Sequence, residues 1–238
     1  MAHKVIALSE KLEFLIGTIQ DDSGEPPESR WTVLRRRIVV GVVLVVGSVF
    51  LGISLSIDSG DSAFYPMTFA LAAVWAIGAL LAGPLPLGAF PPPRGGPVRA
   101  AAIGTAVGLV LGVIFVIGGF VAREIPPLRD FISDVLDHAD TGGVVLALST
   151  AIVNGIAEEM FFRGSVYSAL KGHAPVIFST VIYVVATLAS GNPMLGFAAI
   201  LLGLVCALER RATGGVMAPI FTHIAWTIVM VLVLPQLF

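Results

Sequence analysis

One cysteine in 238 residues, Cys206, has nothing to pair with inside the chain, so no internal disulfide holds this protein together. It lies in an apolar run and reads as a small buried residue rather than a reactive thiol. Charge is scarce as well. Only 13% of residues are charged, about half the share of a soluble domain, and the net charge of −2 lacks the basic footprint of a nucleic-acid binder. The first 30 residues hold no compact apolar core followed by a small-residue cleavage site, so no signal peptide is expected and the first spanning helix serves as the insertion signal. The metalloprotease pattern HExxH is missing. No internal repeat is visible either, which weighs against a transporter.

What the chain has instead is apolar length. Hydrophobic residues make up 56% of it, and its mean hydropathy is +0.94. Several stretches near 20 residues carry no charge, enough to cross a hydrocarbon core of about 30 Å. The expected fold class is therefore all-α, a polytopic transmembrane helical bundle set in a lipid bilayer. Seven spans are expected, roughly at 38–57, 63–82, 98–121, 143–162, 174–190, 194–209 and 214–235. The fifth and sixth are short and read as tilted, or as holding a re-entrant piece buried in protein.

Four regions follow. Residues 1–20 place Val5, Leu8, Leu12, Leu15 and Ile19 at helical spacing and read as an amphipathic cytoplasmic helix, a candidate for lying on the membrane or docking on a partner. Residues 21–37 read as a polar linker, 38–142 as N-terminal transmembrane helices and loops, and 143–238 as a transmembrane core of their own. Lysine and arginine set the orientation. With the N-terminus cytoplasmic, twelve basic residues fall inside and two, Arg123 and Arg129, outside, so the C-terminus is expected outside. The inside loop "GPLPLGAFPPPRGGPVR" reads as an extended connector. In the outside loop, Phe131, Ile132, Val135 and Leu136 predict a short surface helix, with His138 solvated. Gly104, Gly108 and Gly112, four apart, share a face that lets another backbone come close; packing inside the bundle and a partner-facing seam are both open.

Ionisable groups inside a span are expensive and mark function. The stretch "AEEMFFRG" supplies Glu158, Glu159 and Arg163, and the last span supplies His223. Glu159 and Arg163, four apart, lie on one helix face in the favourable order for an ion pair. Glu158 points about 100° away, on the face of Asn154, with only neutral neighbours in sequence. A carboxylate in such a setting suits a general base that takes a proton from water and later returns it. The bland alternative is that both glutamates only tie helices together. Likewise His223, with Thr227 one turn on, is either part of a site or a helix-to-helix hydrogen bond.

These residues have a recognisable pattern. "EEMFFRG" is similar to the EExxxRG motif of the CPBP family, the CAAX proteases and bacteriocin-processing enzymes. The resemblance covers about residues 143–230. It runs on through "APVIFSTVIYVVAT", "GLVCALERRATGG" and "VMAPIFTHIAWT". It implies peptide-bond hydrolysis near the cytoplasmic face of the membrane. It also implies Glu158 as base, Glu159 and Arg163 as a structural or assisting pair, and His223 as oxyanion donor. Three positions depart from the pattern. Tyr183 and Thr187 stand where the resemblance implies phenylalanine and histidine in FxxxH, and Thr227 stands where it implies asparagine in HxxxN. A threonine hydroxyl donates one hydrogen bond but does not take a proton near neutral pH as imidazole does.

Two readings are therefore carried forward. One is an intramembrane endopeptidase acting on a membrane protein or peptide substrate. The other is a non-catalytic membrane scaffold or regulator bound to another membrane protein, toward which the two threonines tilt this chain. No cofactor is expected. A metal ion held by His223 and the glutamates is the weaker alternative, because catalytic zinc usually takes three protein ligands.

Overall fold

The computed structural model describes residues 29–88, 96–140 and 142–238, the side chains of 138–140 excepted. The amphipathic helix expected over 1–20, most of the linker, part of the proline-rich connector and the His138 side chain lie outside the described residues. Everything described is helix or connection, with no strand.

Among the described residues eight helices follow one another: α1 Arg30–Leu55, α2 Phe64–Ala82, α3 Pro97–Ala122, α4 Pro126–Asp140, α5 Gly143–Glu159, α6 Pro175–Leu188, α7 Pro193–Thr213 and α8 Met217–Val233. α5 does not stop at Glu159. It widens into a π-helical stretch, Met160–Val166, and closes with an α-turn, Tyr167–Ala169, as one 27-residue rod. Among the described residues, six helices are long and apolar enough to cross a membrane. They are α1, α2, α3, the α5 rod, α7 and α8 with its short 3₁₀ extension. α6 is apolar but has only 14 residues, about 21 Å. The protein is thus an all-α integral membrane bundle.

The α5 rod passes its expected end near 162 to reach Ala169, and α1 and α7 also run further than hydropathy suggests, both for one reason. α1 begins at Arg30 rather than near 38, where Ser29 caps it by accepting a hydrogen bond from the Thr32 amide at 3.2 Å. α7 runs to Thr213 rather than 209 and ends on Gly214 at φ 72°, a left-handed stop. In both cases the extra turns are charged, and the charges find partners on other helices. Arg37 Nε donates to the Ala169 carbonyl at the end of the α5 rod, 3.4 Å away. Arg210 Nε donates to the Arg163 carbonyl at 2.9 Å. This end of the bundle is called the basic end below.

The amphipathic helix expected in the loop after α3 is α4, which lies across the opposite end. Asn192 Nδ2 holds it by donating to the Phe131 carbonyl at 2.8 Å, and Ser59 Oγ donates to the Asp137 carbonyl at 2.8 Å. In the core, Trp75 of α2 is 2% exposed and meets Phe161 and Phe162 at ring distances of 5.0 and 5.2 Å. Phe162 in turn meets Tyr183 of α6 at 4.8 Å. The two aromatics of "EEMFFRG" thus hold α2, α5 and α6 together.

The glycine face of α3 is occupied within the chain, which corrects its reading as a seam for a partner. α8 lies along it. A Cβ at Gly104 would strike the Ala218 carbonyl, one at Gly108 the Thr222 carbonyl, and one at Gly112 would come within 2.8 Å of Val229. Only hydrogen fits there, because backbone faces backbone. Gly108→Ala is therefore expected to destabilise the bundle by about 1–3 kcal/mol. Gly118→Ala on the same helix meets nothing within 4 Å and is expected to be neutral or mildly stabilising. Thermal unfolding of both variants in detergent checks the contrast.

Candidate active site

Glu159, next to the π-helical stretch, is fully buried at 0% exposure. Its Oε1 accepts from Arg163 Nη1 at 2.9 Å and from His223 Nδ1 at 2.9 Å. Arg163, 1% exposed, donates its second nitrogen, Nη2, to the Gly203 carbonyl of α7 at 3.0 Å. The guanidinium lies over the Tyr183 ring of α6, 4.5 Å from its centroid. One ion pair therefore touches α5, α6, α7 and α8. Two glycines make room for it. A Cβ at Gly155 would stand 3.0 Å from the His223 ring, and one at Gly203 would stand 2.9 Å from Tyr183 and 3.3 Å from Arg163. π-helical turns often mark functional sites, and here the turn sits between the acids and the basic end.

Glu158 is separate and only half-buried. Its Oε2 accepts from the Tyr183 hydroxyl at 2.7 Å, and Oε1 makes no hydrogen bond among the described residues. The expected division of the two carboxylates is present, with Glu159 on Arg163 and Glu158 facing elsewhere. Asn154 does not serve Glu158. Its amide donates to the Thr68 carbonyl at 3.1 Å and the Thr150 carbonyl at 3.0 Å. His223 binds Glu159, not Glu158. Because Glu159 holds the Nδ1 proton, the neutral ring presents Nε2 as an acceptor, and Nε2 donates to an oxyanion only when the ring carries both protons.

Of the six candidate residues, Glu158, Glu159, Arg163 and His223 come together, joined by Tyr183. The two threonines do not bond the acids. Thr187 Oγ1 donates to the Tyr183 carbonyl in its own helix at 2.8 Å. Thr227 is buried at 4% exposure, one turn along α8 from His223. Tyr183 was legible only as the aromatic of a degenerate motif. Glu209 was not legible as a buried contact at all. Both its oxygens lie against the Thr222 hydroxyl, at 2.8 and 2.7 Å, and that hydroxyl also reaches the Gly104 carbonyl at 2.9 Å. The signal available was a carboxylate at the end of an otherwise apolar run, with nothing to say which helix it would meet.

An apolar hollow of about 1250 Å³ opens toward the α4 end. Phe115, Phe131 and Met194 line it, and so do Asn154, one turn from Glu158, and Trp226, whose ring lies 5.9 Å from that of His223. Part of the donor set for a metal ion is already in use. Glu159 Oε1 already accepts two hydrogen bonds and Glu158 Oε2 one, and among the described residues no three His, Cys, Asp or Glu side chains gather around one point.

A search of curated proteins and of solved structures found no match. A scan of family models found one that matches residues 140–229, described as type II CAAX prenyl endopeptidase Rce1-like. The matched stretch begins just before α5 and ends within α8, so it contains the acids, the arginine, Tyr183 and the imidazole. The sequence motif and the family match point the same way, and residues 140–229 are similar to the type II CAAX prenyl endopeptidase Rce1-like family.

Proposed function

We propose that this chain is an intramembrane peptidase of the CPBP type in which Glu158 is the general base. The observation that carries this reading is the contrast between the two neighbouring acids. Glu159 is sealed, with Oε1 accepting from Arg163 and His223 and Oε2 buried without a partner, whereas Glu158 is half-buried, with Oε2 held by a phenol and Oε1 unbonded but not sealed. Water placed at Oε1 gives its proton to Glu158 while its oxygen forms a bond to the peptide carbonyl carbon. The tetrahedral oxyanion then collapses, the C–N bond breaks, and Glu158 returns the proton to the leaving nitrogen. The hollow ending at Asn154 and Trp226 suits an apolar peptide segment already in the membrane. The basic end faces the cytoplasm in this reading, as the lysine and arginine bias implies.

A non-catalytic scaffold is the second reading, favoured by one specific contact. Thr187, where the resemblance implies a water-orienting histidine, turns its hydroxyl back onto its own helix. The test that separates the two uses purified protein in detergent and a broad peptide library, native chain against Glu158→Gln. Cleavage by the native chain that vanishes in the variant supports the peptidase. Absence of cleavage, together with a stoichiometric membrane partner retained by Glu158→Gln in pull-downs, supports the scaffold.

A further inference from the structure

We infer that Tyr183 is the positioning residue for Glu158, supplying from α6 the orientation that Thr187, one turn further on, does not. The inference rests on the peptidase reading and adds a residue to it.

Three observations converge on the Tyr183 hydroxyl. Its oxygen is 2.7 Å from Glu158 Oε2, a distance typical of a charge-assisted O–H···O bond. Its ring is 5% exposed and cannot swing away, because Phe162 packs on it at 4.8 Å, the Arg163 guanidinium covers it at 4.5 Å, and Gly203 leaves room for it and nothing larger. Its depth also matches that of the acid. Tyr183 is eight residues from the start of α6 at the basic end, and Glu158 is eleven from the end of the α5 rod, about 12 and 16 Å. Thr187 lies on the same face of α6, but its one proton is donated to the Tyr183 carbonyl. The only side chain on α6 bonded to Glu158 among the described residues is therefore the tyrosine.

The chemistry follows from which atoms are occupied. A phenol O–H donating to Oε2 fixes the plane of the carboxylate and leaves the lone pairs of Oε1 to face water. Without that bond a half-buried carboxylate rotates among several orientations, and only some of them line up with an attacking water. In this arrangement the one proton of the Tyr183 hydroxyl is spent on Oε2, so the phenol acts through Glu158. Its removal is therefore expected to act on the chemical step and not on substrate binding.

The experiment uses the full-length protein in detergent and the library peptide that the native chain cleaves fastest. Tyr183→Phe deletes a single oxygen and keeps the ring under Arg163. The expected result is a fall in kcat of about 10- to 100-fold, the size expected for loss of a hydrogen bond to a charged group, with KM within about twofold and an unchanged melting temperature. Thr187→Val, which removes the neighbouring hydroxyl, is expected to leave kcat within about twofold. An unchanged kcat in Tyr183→Phe overturns the inference and leaves the peptidase reading standing. So does a fall in kcat that comes with a raised KM and a lowered melting temperature, which would make the hydroxyl merely structural. Failure of the native chain to cleave any library peptide overturns both.

Discussion

Replacing Arg163 with alanine is expected to lower the stability of the fold by about 3–5 kcal/mol, the range for removing one partner of a buried ion pair. The loss is large because of what stays behind. Glu159 is at 0% exposure, and without Arg163 its Oε1 keeps only the His223 contact. The Gly203 carbonyl loses its donor, and the Tyr183 ring loses the cation on its face. Arg163→Lys separates charge from shape. An ammonium keeps the charge but does not reach Glu159 and Gly203 together while lying flat on an aromatic ring. An intermediate loss is expected. Denaturant or thermal unfolding in detergent measures both variants. An alanine variant within about 0.5 kcal/mol of the native chain, the range for an ordinary surface change, would show that the pair carries no weight.

Glu158→Gln is expected to reduce peptide hydrolysis by about 10²–10⁴-fold, the contribution of a general base. That range corresponds to about 3–5 kcal/mol at the transition state. The substitution suits the question because it preserves shape. A glutamine oxygen still accepts from the Tyr183 hydroxyl, so the packing around α6 is kept, but the amide takes no proton from water. The melting temperature is therefore expected to stay close to that of the native chain. Glu159→Gln should behave in the opposite sense. It leaves Glu158 and Tyr183 untouched but removes the charge that Arg163 Nη1 and His223 Nδ1 share, so stability should fall more than in Glu158→Gln. Two adjacent glutamates that fail in different measurements would be direct evidence that one serves chemistry and the other the fold. Equal losses of stability in both would return the pair to a purely structural role.

The parts of this protein that could be read in advance are those governed by local geometry. Hydropathy located six of the seven expected spans, because a bilayer demands continuous apolar length from each segment by itself; the one expected over 174–190 is the 14-residue α6. The Glu159–Arg163 pair was legible because residues four apart on one helix are neighbours whatever the rest of the chain does. The glycine spacing announced a close approach on α3 without saying to what. Charged turns misled at two helix ends, Arg30–Arg37 and Glu209–Thr213, since a charge in sequence looks like the edge of the membrane until its buried partner is known.

The amino-acid order by itself thus determined an all-helical membrane bundle, one intrahelical ion pair and a second acid turned away from it. Tertiary packing alone decided that His223 meets Glu159, that Tyr183 caps Glu158, that Thr222 holds Glu209 and that α8 fills the α3 seam. The reason is physical. Helix periodicity fixes which direction a side chain points around its own axis. The partner it finds there depends on the rotation and depth of a second helix, set by many packing contacts at once and by none that a single segment contains.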